Sequence, residues 1–300
     1  MLRVLVTGAN GFVGTNLVPH FEKKGFDILR TDIDRADVNG DLTDPTFVNS
    51  ILAPKDFDAI IHLAGIVSIP KSLEDPYNCY RVNCFATLNL LNMAAKKRVS
   101  RFIYASSNNV YGPAKTLPVK ETDPYNPRAP YDYSKVISEN LVRSFYLHQS
   151  LQTVVLRSWN LFGPHDQPTR AVPRFMKACL AGDPIPLYNG GRDSDNFYHV
   201  NNYCEAASLA ITNQKAVGEV FNVGTGQEST VRQLAETVRQ ITGSSSKLQM
   251  LPPRTPLEAK PRRTYPSIAK IKRLLGYKPI LSLKDGLEQT LDQFRNNPRN

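Results

Sequence analysis

Tyr131 and Lys135 stand four residues apart in the run Tyr131-Asp132-Tyr133-Ser134-Lys135, immediately behind Pro130. Proline suits the first turn of a helix, and a spacing of four puts both side chains on one helical face. An ammonium beside a phenol stabilises the phenolate and lowers the tyrosine pKa toward neutrality. A tyrosine tuned in this way takes a proton from a hydroxyl while hydride leaves the same carbon. The same spacing also describes an ordinary surface pair, so the chemistry depends on what else the chain supplies.

It supplies a glycine loop. Thr7-Gly8-Ala9-Asn10-Gly11-Phe12-Val13-Gly14 follows the apolar run Val4 to Val6 and opens a helical pattern. Glycines at such a junction permit a tight turn, a close approach to a pyrophosphate and close packing of helix on strand. The N–H groups at the helix start then bind the phosphate charge. The next strand pattern ends in Asp32, eighteen residues after Gly14. A carboxylate there accepts hydrogen bonds from both ribose hydroxyls and repels a 2′-phosphate, which favours NAD over NADP. Arg30 and Arg35 are the neighbours that would favour NADP instead.

The elements that must hold these residues alternate in type. Strands are predicted at Leu2–Val6, Asp27–Thr31, Ala36–Asn39, Asp58–Leu63, Arg101–Ser106, Thr153–Arg157 and Glu219–Val223. Helices are predicted at Gly11–Lys24, Tyr77–Lys97, Tyr131–His148, Val172–Ala181, Thr230–Ile241, Ser267–Leu275 and Leu283–Phe294. Strand-helix alternation implies an α/β fold with a doubly wound parallel sheet and a smaller C-terminal α/β lobe. The composition shifts near Gly163, where Pro, Gly and charge rise. The dinucleotide-binding domain is therefore assigned to residues 1–163, completed by about 197–225. The substrate-binding lobe is assigned to residues 164–196 and 226–300.

At 41% apolar and 21% charged residues the chain reads as an ordinary globular protein. The run Val4–Val6 is too short for a secretory segment, and the longest apolar stretch, Ala59–Val67, contains His62. A soluble, cytoplasmic protein is expected, with no membrane partner. Cys79, Cys84, Cys179 and Cys204 form no CxxC pair and have no histidines at ligand spacing, so no metal site is expected. The net charge is +10, and eight basic residues against one acid fall between Leu251 and Ile280. Such a patch attracts anions, although most of its side chains also fit a solvated basic face.

Taken together, the motifs strongly resemble the extended short-chain dehydrogenase/reductase family, particularly its nucleotide-sugar epimerases and dehydratases. The resemblance runs through TGANGFVG (Thr7–Gly14), Asp41-Leu42, HLAG (His62–Gly65), Asn83, SSNNVYG (Ser106–Gly112), YDYSK (Tyr131–Lys135), RSWNLFGP (Arg157–Pro164) and NVGTG (Asn222–Gly226). It implies a Rossmann-type fold, NAD as cofactor and a nucleotide-diphosphate sugar as substrate. By the same resemblance, Ser107 hydrogen-bonds the reacting oxygen, Tyr131 is the general base and acid, and Lys135 binds the nicotinamide ribose. Gly8, Asn10, Gly11, Phe12, Val13, Gly14, Asp32 and Asn83 belong to the cofactor site. Asp41 and Leu42 would border the adenine, and Leu63, Ala64 and Gly65 would line the cleft. Asn160 would contact the sugar nucleotide, and Arg254 occupies a position where the family holds the diphosphate.

The chain also departs from the family pattern. Dehydrating members resemble Asp-Glu just after the Ser/Thr, and decarboxylating members keep the glutamate; this chain has Asn108 and Asn109. An amide takes no proton at neutral pH, which disfavours elimination and decarboxylation. A second diphosphate clamp resembles Arg-Asp-Phe, where this chain has Asp195-Asn196-Phe197; Arg192, three residues earlier, is the nearest substitute. The favoured reading is an epimerase acting by transient C4 oxidation, with UDP-sugars as the preferred substrates. The alternatives are an NAD(P)H-dependent 4-ketosugar reductase, a dehydratase and, more distantly, a non-catalytic RNA-binding relative drawing on the basic patch. The intact Ser-Tyr-Lys set and the lack of interleaved aromatics oppose nucleic acid as a partner. Apolar positions Val82, Leu90, Leu91, Val136, Leu141 and Val142 on the two long helices suggest a homodimer through a four-helix contact.

Overall fold

The computed structural model describes residues 1–253 and 260–296. Strands β1 (Arg3–Thr7), β2 (Asp27–Asp32), β3 (Val38–Asn39), β4 (Ala59–His62), β5 (Arg101–Ser107) and β6 (Thr153–Ser158) are joined by β11 (Val220–Val223) in one sheet. Between them in sequence, β7 (Asn160–Phe162), β8 (Ile185–Tyr188), β9 (Ser194–Asp195) and β10 (Phe197–His199) enter two-stranded ribbons with one another or with β12 (Ser229–Thr230) and β13 (Leu248–Leu251).

The main sheet is seven-stranded, in the order β11-β6-β5-β4-β1-β2-β3, with every pair parallel. The winding reverses between β1 and β4, so a crevice opens beyond their C-terminal ends, where open α/β sheets bind ligands. Its strands are apolar on both sides because helices cover both faces. Val4, Val6 and Ile61 pack on one face with helices α1 (Phe12–Lys23) and α7 (Val200–Thr212). Leu5, Ile60, Phe102 and Val155 pack on the other, against α4 (Ala86–Lys97) and α5 (Pro130–Gln149). Each such buried aliphatic contributes about 2 kcal/mol.

A third cluster lies in the C-terminal part, where α6 (Ala171–Ala181), α8 (Val231–Thr242) and α10 (Leu283–Asn296) enclose Phe175, Met176, Leu187, Leu234 and Leu287. Not all of the region assigned to the lobe packs there. Helix α9 (Ala269–Leu275) places Ile271 and Leu275 in the sheet's own core, beside Tyr277 and α7. The C-terminal chain thus crosses back over the sheet before reaching α10.

Two elements differ from expectation. The helix predicted over Tyr77–Lys97 is built from α3 (Pro76–Tyr80), a π turn at Arg81–Phe85 and α4, after the short α2 (Ile69–Glu74). Helix α7 was not predicted at all. Its Ala206, Ala207, Ser208 and Ala210 are buried, and only a narrow face through Asn201, Glu205 and Leu209 is partly exposed, so the polar stripe is too thin to mark it. Among the described residues no helix is long and apolar enough to cross a membrane, and no cluster of three His, Cys, Asp or Glu could hold a metal. All four cysteines are buried and unpaired.

Candidate active site

The crevice at the switch point is a cleft of about 920 Å³, and nearly every residue singled out from the sequence lines it. At its floor, β1 ends at Thr7 and the chain turns through Gly8 at φ +68°. A Cβ on Gly8 would stand 2.7 Å from the Ala64 nitrogen, and one on Gly14 2.3 Å from the Gly8 carbonyl oxygen. Any side chain at either position would push β1, β4 and α1 apart. Gly11 caps α1 with extended backbone; no side chain caps that end and no acid stands in its first turn. The first N–H groups of α1 are left for an anion lying in the cleft.

Asp32 closes the β2 end. Its carboxylate accepts hydrogen bonds from Asn10 N and Ile33 N, each at 2.8 Å. Arg30 is bound to Asp37 at 2.6 Å and is not among the cleft residues, whereas Arg35 lines the cleft beside Asp34. Asp41, Leu42, Leu63, Ala64 and Gly65 line the same half, together with Phe12 and Val13. Asn83 does not. It lies in the π turn, buried behind the wall, where it accepts from Ile66 N at 2.8 Å and donates to Ile66 O at 3.0 Å. Its contact is with the Gly65-Ile66 backbone, which it holds in place; a direct cofactor contact is corrected to this positioning one.

Ser107, Tyr131 and Lys135 meet on the opposite wall. Ser107 ends β5, and its Oγ accepts from Asn109 N at 3.2 Å. Tyr131 stands in the first turn of α5, behind Pro130, and its N–H donates to Ser72 Oγ at 3.2 Å. Lys135 Nζ donates to the Ala105 carbonyl at 2.9 Å and lies 5.9 Å from the Tyr131 ring centroid. Burial pushes the Tyr131 phenol up to about 12, against a hydrogen bond from Ser107 that pulls it down. Burial also lowers Lys135 to about 8. Among these protein contacts the tyrosine thus moves up, not down toward neutrality as expected. Desolvation of the phenolate outweighs a cation whose proton is directed at a carbonyl.

The end of the cleft that carries Asn160 differs most from expectation. Asn160 lines the cleft and accepts from Arg170 Nη2 at 3.3 Å. Arg192 is absent from the cleft: its guanidinium folds back on Asn189, donating to the backbone carbonyl at 3.2 Å and to the side-chain oxygen at 2.5 Å. Arg254 lies outside the described residues. The arginines that do line this end are Arg170 and Arg262. Arg262 is ion-paired at 2.8 Å with Asp195, whose carboxyl burial pushes up to about 6 while the arginine pulls it down. Asp166, also lining the cleft, is likewise raised to about 6 by burial against the pull of Arg170. In sequence, Arg262 was one basic residue among eight, and nothing local separates it from Arg263, which pairs with Glu228 instead.

A dinucleotide fits these residues: a side-chain-free cradle at an uncapped helix start, a carboxylate at the end of β2, and a phenol-lysine pair across the cleft. Residues 4–224 match the model of the NAD dependent epimerase/dehydratase family. A dTDP-glucose 4,6-dehydratase of Streptomyces niveus is 29% identical, covering 99% of this chain and 94% of that relative. The UDP-glucose 4-epimerase of Thermotoga maritima, solved with UDP-glucose, superposes with a TM-score of 0.92 at 28% identity, covering 99% of this chain and 100% of the other. That of Thermus thermophilus, solved with NAD, gives 0.87 at 27% identity, with 98% and 99% coverage. These neighbours differ in the reaction they carry out. The chain belongs to the NAD-dependent epimerases and dehydratases of the extended short-chain dehydrogenase type, and its cofactor is NAD.

Proposed function

We propose that the protein is a nucleotide-sugar 4-epimerase, with UDP-sugars the favoured substrates. The observation that carries this reading is the pair Asn108 and Asn109. Both line the cleft directly after Ser107, where elimination would need an acid and a base. Asp166, the carboxylate nearest in character to such a group, is engaged by Gln167 N at 2.8 Å and Arg170 at 3.6 Å.

Bound NAD supplies a hydride acceptor and a positive charge that favours the phenolate. Tyr131 would take the proton of the sugar C4 hydroxyl, and Ser107 would hydrogen-bond the same oxygen. Lys135 holds the nicotinamide ribose. Once the oxidised sugar has turned over in the cleft, Tyr131 would return its proton to the same oxygen. Asp32 binds the adenosine ribose hydroxyls, Asp41 and Leu42 border the adenine, and the first turn of α1 binds the pyrophosphate. Asn160, Arg170 and Arg262 hold the substrate's diphosphate; guanidinium groups suit that charge and shape.

The active unit on this reading is a cytoplasmic homodimer. Leu90, Leu91 and Val142, among the apolar positions expected to pair, are buried in the subunit's own core. Tyr77, Phe85, Tyr133 and Ile137 on α3, the π turn and α5 are the exposed apolar residues left to make a four-helix contact. The four reduced cysteines accord with a reducing compartment.

Incubating the NAD-loaded protein with UDP-, GDP- and dTDP-sugars and reading stereochemistry by NMR tests the proposal. Inversion at C4 without net NADH change is expected. Conversion that occurs only when NADH is added, and that consumes it stoichiometrically, would make it a reductase, and a 6-deoxy-4-keto product a dehydratase.

A further inference from the structure

A few buried side chains keep a polar atom with no hydrogen-bond partner among the described residues, and Tyr203 is the one of them that lines the cleft. Its residue is only 1% exposed. It stands in the first turn of α7, in the same core cluster as Val110, Trp159 and Leu161, with Phe12 and Val13 packed against it. A buried hydroxyl without a partner bears its full desolvation cost, so such a group marks a place where something else completes the site.

The position narrows what that is. Trp159 and Leu161 follow β6, on the side of the switch point that carries Ser107 and Tyr131, while Asp32 and Asp41 lie on the β2–β3 side. A dinucleotide spanning the crevice from Asp32 has its nicotinamide on the Tyr203 side. Burial raises the Tyr203 phenol well above its ordinary pKa, so it remains a donor throughout the neutral range. With the nicotinamide ribose assigned to Lys135, the acceptor left at that end of the cofactor is the carboxamide oxygen. The pyrophosphate is already served by the start of α1.

We propose that the Tyr203 hydroxyl donates a hydrogen bond to the nicotinamide carboxamide of the bound cofactor and so sets the ring's rotation opposite Tyr131. This rests on the cleft assignment above. Tyr203 is a positioning residue, since the reacting atoms are met by Tyr131 and Ser107.

The test compares the full chain, freed of nucleotide, with Tyr203→Phe in binding NAD+ and ADP-ribose by calorimetry, alongside thermal unfolding. The phenylalanine variant is expected to bind NAD+ about tenfold more weakly. ADP-ribose, which lacks the nicotinamide, should bind both proteins equally. The unliganded variant should unfold at the same or a higher temperature, because it loses an unpaired hydroxyl. Equal NAD+ affinity, a parallel loss for ADP-ribose, or a variant less stable without ligand would each overturn the proposal; the last would mean that water or protein already partners the hydroxyl. If the unchanged chain binds neither ligand, the cleft assignment itself fails, and the proposal falls with it.

Discussion

The Asp195 carboxylate meets the Arg262 guanidinium at 2.8 Å across sixty-seven positions of sequence, and Arg262 lines the cleft. The family resemblance leads one to expect an arginine at position 195; here the positive charge reaches this wall from a different segment. Asp195 is buried while Arg262 is half exposed, which makes the acid the anchor and the arginine the arm.

Releasing that arm should weaken substrate binding without touching the chemistry. Asp195→Ala and Arg262→Ala are each expected to raise KM for the nucleotide sugar about tenfold, with kcat within a few-fold. The double variant should be little worse than either single one, because the two act as a unit. Steady-state kinetics on all three checks this, and additive losses would mean separate roles.

Tyr131→Phe removes the proton acceptor but keeps the ring. Turnover should fall about 10²- to 10⁴-fold while NAD+ affinity stays unchanged. Ser107→Ala should lose less, about tenfold to a hundredfold, since Tyr131 remains. Binding can be followed through Trp159, the only tryptophan, which lines the cleft.

Asp32→Ala should weaken NAD+ binding by about tenfold and narrow the preference over NADP+, because the ribose hydroxyls lose their acceptor. Gly14→Ala should abolish cofactor binding or stability, since its Cβ would sit 2.3 Å from the Gly8 carbonyl. Titration of Trp159 fluorescence and a thermal melt separate these outcomes.

Asp166 has its pKa raised from 3.8 to about 6 by burial, so the folded state holds its proton more tightly than the unfolded state. That contribution is fully present below pH 4 and is lost as pH rises through 6. Relative to the unchanged chain, Asp166→Asn should therefore gain in Tm by a few degrees between pH 4 and pH 7. Melts across that range decide it, and a pH-independent difference would rule out the linkage.

Much of the site was legible because its requirements are local. The turn after β1 demands residues without side chains at Gly8 and Gly14, and the helical repeat alone puts Tyr131 and Lys135 on one face. Strand-helix alternation likewise set the class of fold, since crossovers between parallel strands need helices. Periodicity carried little trace of α7, which is buried around all but one narrow face.

What the sequence determined, then, was the cofactor half and the phenol-lysine pair, each specified within a few consecutive residues. Tertiary structure decided which arginines line the cleft: Arg192 folds onto its own turn, while Arg262 is drawn to Asp195 from a distant segment of the chain. It also decided the direction of the Tyr131 shift, because burial is a property of the whole packed wall and here raises the phenol. Chain-distant charge pairing and desolvation have no local signature. Only folding creates them.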